Sequence, residues 1–320
     1  MLMTSKETLK SEAKFRGYHP EILEKVYRLL DLLENFMAVP YLKERMALKG
    51  GTAINLFCTN MLPRLSVDLD FNYIGSVERD VMKQERQQLE SILLDICDRQ
   101  RYSLHRNPRA HAGGKIVLVY NSILGNKGRL EIDLNYMFRV PLWTPVSKGS
   151  PDWLKPTKTS VLDIHELAAG KLHALLSRHA SRDLFDSHQL LTSWNLDSDK
   201  LKLAFTVYAA MESVDWKKIS TDNINYTIKD IRDKLVPVLK RNKIPSMKRH
   251  DIESWANQLK NETCYAMSKL LPFNKDEQEF LSCLQERGEI KPDIICNDKE
   301  FCQRISTHPL LTWRAQQSLK

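Results

Sequence analysis

Apolar positions along the chain change their period partway, and each period predicts an element. Ile22, Val26, Leu29, Leu30, Leu33 and Phe36 recur at helical spacing, with Pro20 placed for a first turn. In RMALKGGTAINLF (45–57) two glycines separate two apolar runs, which predicts a strand, a tight turn and a helix. From Leu65 to Tyr73 the pattern alternates strictly: Leu65, Val67, Leu69 and Phe71 against Ser66, Asp68, Asp70 and Asn72. That is a half-buried strand. Residues 77–99 return to helical spacing through Leu89, Ile92, Leu93 and Ile96. Lys115–Asn121 and Arg129–Tyr136 read as strands joined by a loop holding Gly125 and Gly128. A sheet of about four or five strands is expected in this half. Pro141, Pro145, Pro151 and Pro156 then mark a linker or domain edge, and alternation all but disappears. Asp163 is placed to cap a helix through Ser177 and Ser181 another through Trp194, and helical patterns recur to about Arg287. The expected architecture is α+β: an α/β domain over residues 1–155 and a mostly helical domain over 156–320.

Composition narrows the class. The 320 residues are 42% apolar, enough for a real core. With 48 Lys and Arg against 40 Asp and Glu, the net charge is +8, which suits an anionic partner such as nucleic acid. No stretch has the run of apolar residues a membrane span needs, and the first twenty residues lack the apolar core of a secretory signal. The six cysteines are dispersed without a C-x-x-C pair, as in a thiol-reduced, cytoplasmic protein. A membrane protein, a disulfide scaffold and a structural zinc module are excluded on these grounds.

The candidate chemistry begins with acids on strands. Asp68 and Asp70 lie two apart, so both leave one face of their strand while Leu69 and Phe71 enter the core. Glu131 and Asp133 do the same between Leu130, Ile132 and Leu134. If the two strands are neighbours, three or four carboxylates converge, at a repulsive cost that a cation between them removes. Mg²⁺ suits such oxygen donors and shares its shell with substrate phosphates. Two solvated outer faces are the simpler alternative. The turn Gly50-Gly51-Thr52 lies 16 residues before Asp68. Glycines let a backbone approach a phosphate, although this is neither a Walker loop nor a dinucleotide fingerprint. Arg64 and Ser66 could add phosphate contacts, or simply open an exposed strand.

Lys171 falls in an apolar stripe that runs Ile164, Leu167, Ala168, Leu172, Leu175. It either pairs with Asp183 or Asp186 on the next helix or meets a triphosphate, and one of those acids could orient it for that. A lysine kept for a triphosphate should be replaceable by Met without loss of stability. Lys234–Arg249 gathers six cations and no acid, among them Lys240, Arg241, Lys243, Lys248 and Arg249. It is either an RNA-binding stretch or a solvated linker.

Taken together, KGGTAINLF, RLSVDLDFNY, LEIDLNY and HELAAGKLHALLSRHASRDLFD resemble the AbiEii/AbiGii nucleotidyltransferase-like toxins, including the MenT group. The motifs are the Gly50-Gly51-Thr52 turn with Asp68 and Asp70, a third acid at Asp133, the Lys171–Leu175 helix, and Arg182-Asp183-Leu184-Phe185-Asp186. His308–Arg314 also looks like the usual chain end of that family. The resemblance implies a DNA polymerase β-like nucleotidyltransferase fold, with a nucleoside triphosphate as substrate and Mg²⁺ as cofactor. It implies a toxin of a toxin–antitoxin or phage-defence operon, a cognate antitoxin, and an RNA acceptor, in the MenT relatives the tRNA 3′ end. Asp68, Asp70 and Asp133 would then hold metal, Gly50, Gly51 and Thr52 would grip the triphosphate, and Lys171 with Asp183 and Asp186 would complete the site. Family spacing selects Asp133 as third acid, although Glu131 shares its face. Rival readings are a metal-dependent nuclease or phosphohydrolase on the same acids, a nucleotidyltransferase that modifies protein, and a binding module whose acids pair with a basic partner. A haloacid-dehalogenase phosphatase fits poorly, because Asn72 stands where its D-x-D motif continues with Thr or Val.

Overall fold

The computed structural model describes residues 5–59, 62–107, 113–212, 214–244 and 248–319. Two compact units divide the chain: residues 1–139, 145–162 and 237–243 in one, and 140–144, 163–236 and 244–320 in the other.

In the first unit a seven-stranded mixed sheet carries the fold. Its strands are β1 (Met46–Lys49), β2 (Asp68–Tyr73), β3 (Ser103–Arg106), β4 (Gly113–Asn121), β5 (Lys127–Asn135), β6 (Val146–Gly149) and β7 (Lys158–Val161), in the order β3-β4-β5-β2-β1-β7-β6. The two strands bearing the acids are neighbours. β2 and β5 run parallel, while β1 and β4 flank them antiparallel. Leu69 and Phe71 pair in register with Ile132 and Leu134, and all four are buried. The Pro20–Met37 helix buries Leu23, Val26, Leu29, Leu30, Leu33 and Phe36, and it packs on β5, β7 and the Arg79–Arg99 helix. This is the expected amphipathic helix with its apolar stripe turned to the sheet.

The seven strands exceed the expected four or five; β3, β6 and β7 lie outside the stretches read as strands, and each is only four residues long. β7 lies beyond the proline-rich segment, beside β1. The strand expected from Leu65 starts instead at Asp68. The Leu65 N–H donates to Val238 O at 2.8 Å and Arg64 forms a bridge with Leu239, so this stretch pairs away from the sheet. Ser66 is buried and Val67 half-buried there, against the alternation.

The second unit is helical. The Ile164–Arg178 helix packs on Ser181–Thr192 and Ser198–Met211, and Arg249–Met267 packs on Ser181–Thr192. Asp163 caps the first of these through the His165 N–H, as expected. Ser181 does not cap the second. It is that helix's first residue, and its hydroxyl donates to the Asp230 carboxylate at 2.6 Å while its N–H donates to the same group at 2.8 Å.

Candidate active site

In the sheet unit, cross-strand register assembles the site. Asp68 lies opposite Glu131, and Asp70 opposite Asp133. Strands sit about 4.8 Å apart, so the four acids form a block on one face of β2 and β5. The register extends on both sides: Lys49 of β1 pairs with Asp70, and Lys115 of β4 pairs with Asp133. A row Lys49–Asp70–Asp133–Lys115 therefore crosses four strands. Opposite charges on facing strand positions offset the repulsion of the two central acids. Lys49 and Lys115 were not candidates from the sequence. Their only signal there is the parity of their strand positions, and it acquires meaning once register is known.

Lys115 distinguishes the two β5 acids. Its ammonium meets Glu131 Oε2 at 2.7 Å. The hydrogen bond to Glu131 holds the Lys115 pKa above the usual lysine value, and the charges of Asp68 and Asp133 add to the effect. Glu131 is thus committed to a lysine, which favours Asp133 as the acid available to a metal.

The glycine turn closes over the same edge. Gly50 follows β1 with φ +70°, a left-handed conformation that suits glycine. A Cβ there would lie 2.1 Å from Asp70 Oδ2, so the turn and the acid fit only because the side chain is absent. At Gly51 a Cβ would meet the Arg64 guanidinium at 2.8 Å and Ser66 Oγ at 2.9 Å. Thr52 ties the turn to β2 by donating its hydroxyl to Asp68 O, and the Asn55 amide donates to Gly51 O at 2.9 Å. Gly50, Gly51, Thr52, Arg64, Ser66, Asp68 and Asp70 are therefore brought together with Glu131 and Asp133. Arg64 is buried and not an exposed strand start, and one of its nitrogens donates to Leu65 O. Asn72 continues the acid face of β2; it is buried, and its amide has no hydrogen-bond partner among the described residues.

Among the described residues, no three His, Cys, Asp or Glu side chains converge into a metal-binding group. The expected convergence of three or four carboxylates is thus an in-register alignment, with Glu131 drawn off by Lys115. The donor set still fits a hard divalent ion, since such an ion takes one or two protein carboxylates and fills its shell with water and phosphate oxygens. Asp68, Asp70 and Asp133 are the residues that could hold it.

In the helical unit, Lys171 forms a buried ion-pair cluster. Its Nζ lies 2.8 Å from Asp183 Oδ1 and 3.1 Å from Asp186 Oδ2, and Arg178 reaches Asp183 Oδ2 at 3.2 Å. The two acids are 6% and 0% exposed as side chains, and Lys171 10%. Nearby, Glu166 is fully buried and accepts from the Leu142 N–H at 2.9 Å, and burial pushes its carboxyl up to about 8. His173 is buried, its Nε2–H donates to Phe205 O at 2.9 Å, and burial pushes its pKa down to about 4.

The basic stretch is divided. Residues 237–243 belong to the sheet unit, whereas 234–236, 248 and 249 belong to the helical one, and 245–247 lie outside the described residues. Lys234 pairs with Asp230 at 2.7 Å and Arg249 with Glu253 at 2.6 Å, so part of the charge is locally balanced. Arg241 and Lys243 are exposed and Lys240 is half-buried. No helix among the described residues is long and apolar enough to cross a membrane.

Residues 31–262 match the family model described as "Nucleotidyl transferase AbiEii toxin, Type IV TA system". Among solved structures, the fold is similar to that of MenT4, a nucleotidyltransferase toxin from Mycobacterium tuberculosis H37Rv. The TM-score is 0.58 at 15% identity, over 95% of this chain and 98% of that one. No curated protein matches the chain in sequence.

Proposed function

The chain belongs to the AbiEii nucleotidyl transferase toxin family of type IV toxin–antitoxin systems, and on that premise we propose that it transfers a nucleotide from a nucleoside triphosphate to an RNA acceptor, with the tRNA 3′ end as first choice. The family implies a cognate antitoxin. An RNA acceptor and a nucleoside triphosphate would both be met in the cytoplasm, which is the proposed place of action.

The observation that carries this reading is the acid pair Asp70–Asp133 in register beside a glycine turn that only glycine fits. Nucleotidyl transfer needs an acceptor 3′-hydroxyl to attack the α-phosphorus while the bond to pyrophosphate breaks. Its catalysis is mainly positioning and charge stabilisation. A divalent ion at Asp68, Asp70 and Asp133, Mg²⁺ by donor chemistry, would make the hydroxyl easier to deprotonate and neutralise charge on the pyrophosphate. Gly50 and Gly51 let backbone N–H groups come up to the triphosphate, with Arg64 and Ser66 behind them. Lys49 and Lys115 flank the acid row and offset the repulsion between its two central acids. A triphosphate role for Lys171 is tested by substitution below, since its ammonium is already paired with Asp183 and Asp186. Lys240, Arg241, Lys243, Lys248 and Arg249 offer cations to RNA phosphates.

The test is incubation with each labelled triphosphate in turn, Mg²⁺ and either bulk tRNA or a cell protein fraction, followed by separation of the products. Labelled tRNA is the expected result. Labelled protein would replace the acceptor. Triphosphate hydrolysis or RNA cleavage without incorporation would replace the reaction by the phosphohydrolase or nuclease alternative.

A further inference from the structure

Residues 237–243 connect the neighbourhood of the glycine turn to an aromatic stack on the same unit. Leu239 bridges to Arg64, whose guanidinium lies against Gly51. Two residues later the Arg241 N–H donates to Gly17 O at 2.8 Å, and the Lys240 side chain passes 3.5 Å from where a Gly17 Cβ would stand. At about 3.3 Å per residue, the cations at 240, 241 and 243 begin within about 10 Å of that bridge.

Beside Gly17 stands Phe15, 80% exposed. The Arg16 guanidinium lies 5.5 Å from the Phe15 ring centre and 4.4 Å from that of Trp153. Trp153 in turn stacks on Tyr18, 6.3 Å away and 11° from parallel. Glu12 fixes Arg16 at 2.7 Å, and Tyr18 is anchored by its hydroxyl donating to Leu62 O at 2.7 Å. A preformed column Phe15–Arg16–Trp153–Tyr18 results, with its outer ring open to solvent and cations alongside. Exposing a whole phenyl ring does nothing for the core. Aromatic and arginine planes next to cations are what unstacked bases and their phosphates require.

Resting on the reading of RNA as acceptor, we propose that this surface docks a single-stranded end of the acceptor, with a base stacked on Phe15 and phosphates on Lys240, Arg241 and Lys243, in line with the glycine turn. An acidic protein would use the cations and leave the ring without a role.

The test is fluorescence anisotropy of a fluorescein-labelled ten-residue oligoadenylate, without triphosphate or metal, against the full chain. Two variants are compared with wild type: Phe15→Ser, and Arg241→Ser with Lys243→Ser. Thermal melting confirms that each is folded. Phe15→Ser should weaken binding about tenfold. The double variant should flatten the logarithmic salt dependence by about 1.4, from two lost phosphate contacts at about 0.7 each. Wild-type affinity and salt slope in both surface variants would overturn the proposal, and labelling of tRNA in the same variants would leave the acceptor reading standing. Loss of binding in these variants, with no labelling of RNA by wild type, would support the surface and retire the acceptor reading. Binding of polyglutamate but not of oligoadenylate would overturn the surface in favour of an acidic protein.

Discussion

Lys115 is the ground for proposing Asp133 over Glu131 as the metal-holding acid. It holds Glu131 in an ion pair at 2.7 Å and leaves Asp133 in register with Asp70. Asp133→Asn should therefore lower single-turnover nucleotidyl transfer by at least about a hundredfold, the scale of losing one transition-state charge contact. Glu131→Gln should lower it less than about tenfold, because that residue balances a lysine. Both side chains leave the core-facing row, so neither change should shift the melting temperature by more than a few degrees. The reverse order of damage would assign the metal to Glu131. Glycine 50 is similarly decisive: its left-handed φ and the 2.1 Å approach of Asp70 leave no room for a Cβ.

Among the elements, the helix pair around Lys171 forms the ion-pair network that was one of the two readings of the sequence. The apolar stripe made Lys171 conspicuous, and on the triphosphate reading its substitution by Met was expected to be harmless to stability. The structure sets its ammonium between two carboxylates with almost no solvent access. Lys171→Met takes the ammonium from both carboxylates while Arg178 stays on Asp183 Oδ2, and breaking a buried pair costs about 3–5 kcal/mol. That variant should melt well below wild type. Adding Asp186→Asn should recover much of the loss, and calorimetry on the single and double variants checks it. If the double variant regains stability but keeps a raised KM for triphosphate, Lys171 serves the nucleotide. Recovery of both would make it structural.

The same helix carries a pH signature. Burial raises Glu166 from its ordinary 4.5 to about 8 and lowers His173 from 6.5 to about 4. Between pH 4.5 and 6.5 folding takes up a proton at Glu166 and releases one from His173, so the two slopes oppose. Above pH 6.5 only Glu166 acts: the folded state holds a proton that the unfolded chain has lost, and stability falls as pH rises to about 8. The fall is of order 2 kcal/mol, about 1.4 kcal/mol per pH unit over that window. Glu166→Gln should melt at a nearly constant temperature between pH 6.5 and 8, while wild type declines. A flat wild-type profile would show that Glu166 ionises in place.

What was legible follows from period. β5 alternates along its length and β2 from Asp68 to Phe71, so their faces and acids could be read directly, while β4 was legible as an apolar run through Ile116–Tyr120. β3 and β6 are four residues long and mostly exposed, which leaves no alternation to detect. The truncation of β2 at Asp68 was hidden because the partner of Leu65 is Val238, far along the chain. Lys49 and Lys115 were missed for the same reason. The row they join is built from residues 49, 70, 133 and 115, and only strand register brings these together.

At the scale of the whole molecule, a net charge of +8 and a family assignment over residues 31–262 describe a basic nucleotidyltransferase toxin. The sheet unit holds the acids, the glycine turn and the proposed RNA surface, and the helical unit holds the Lys171 cluster. The reaction class can be read from the fate of the phosphates. With bulk tRNA and Mg²⁺, the most direct measurement compares a triphosphate labelled at the α-phosphorus with the same triphosphate labelled at the γ-phosphorus, for wild type and Asp70→Asn. Nucleotidyl transfer predicts α-label in the RNA, γ-label in pyrophosphate, and neither with folded Asp70→Asn. γ-Label in the acceptor, release of inorganic phosphate alone, or undiminished α-label incorporation by Asp70→Asn would contradict it.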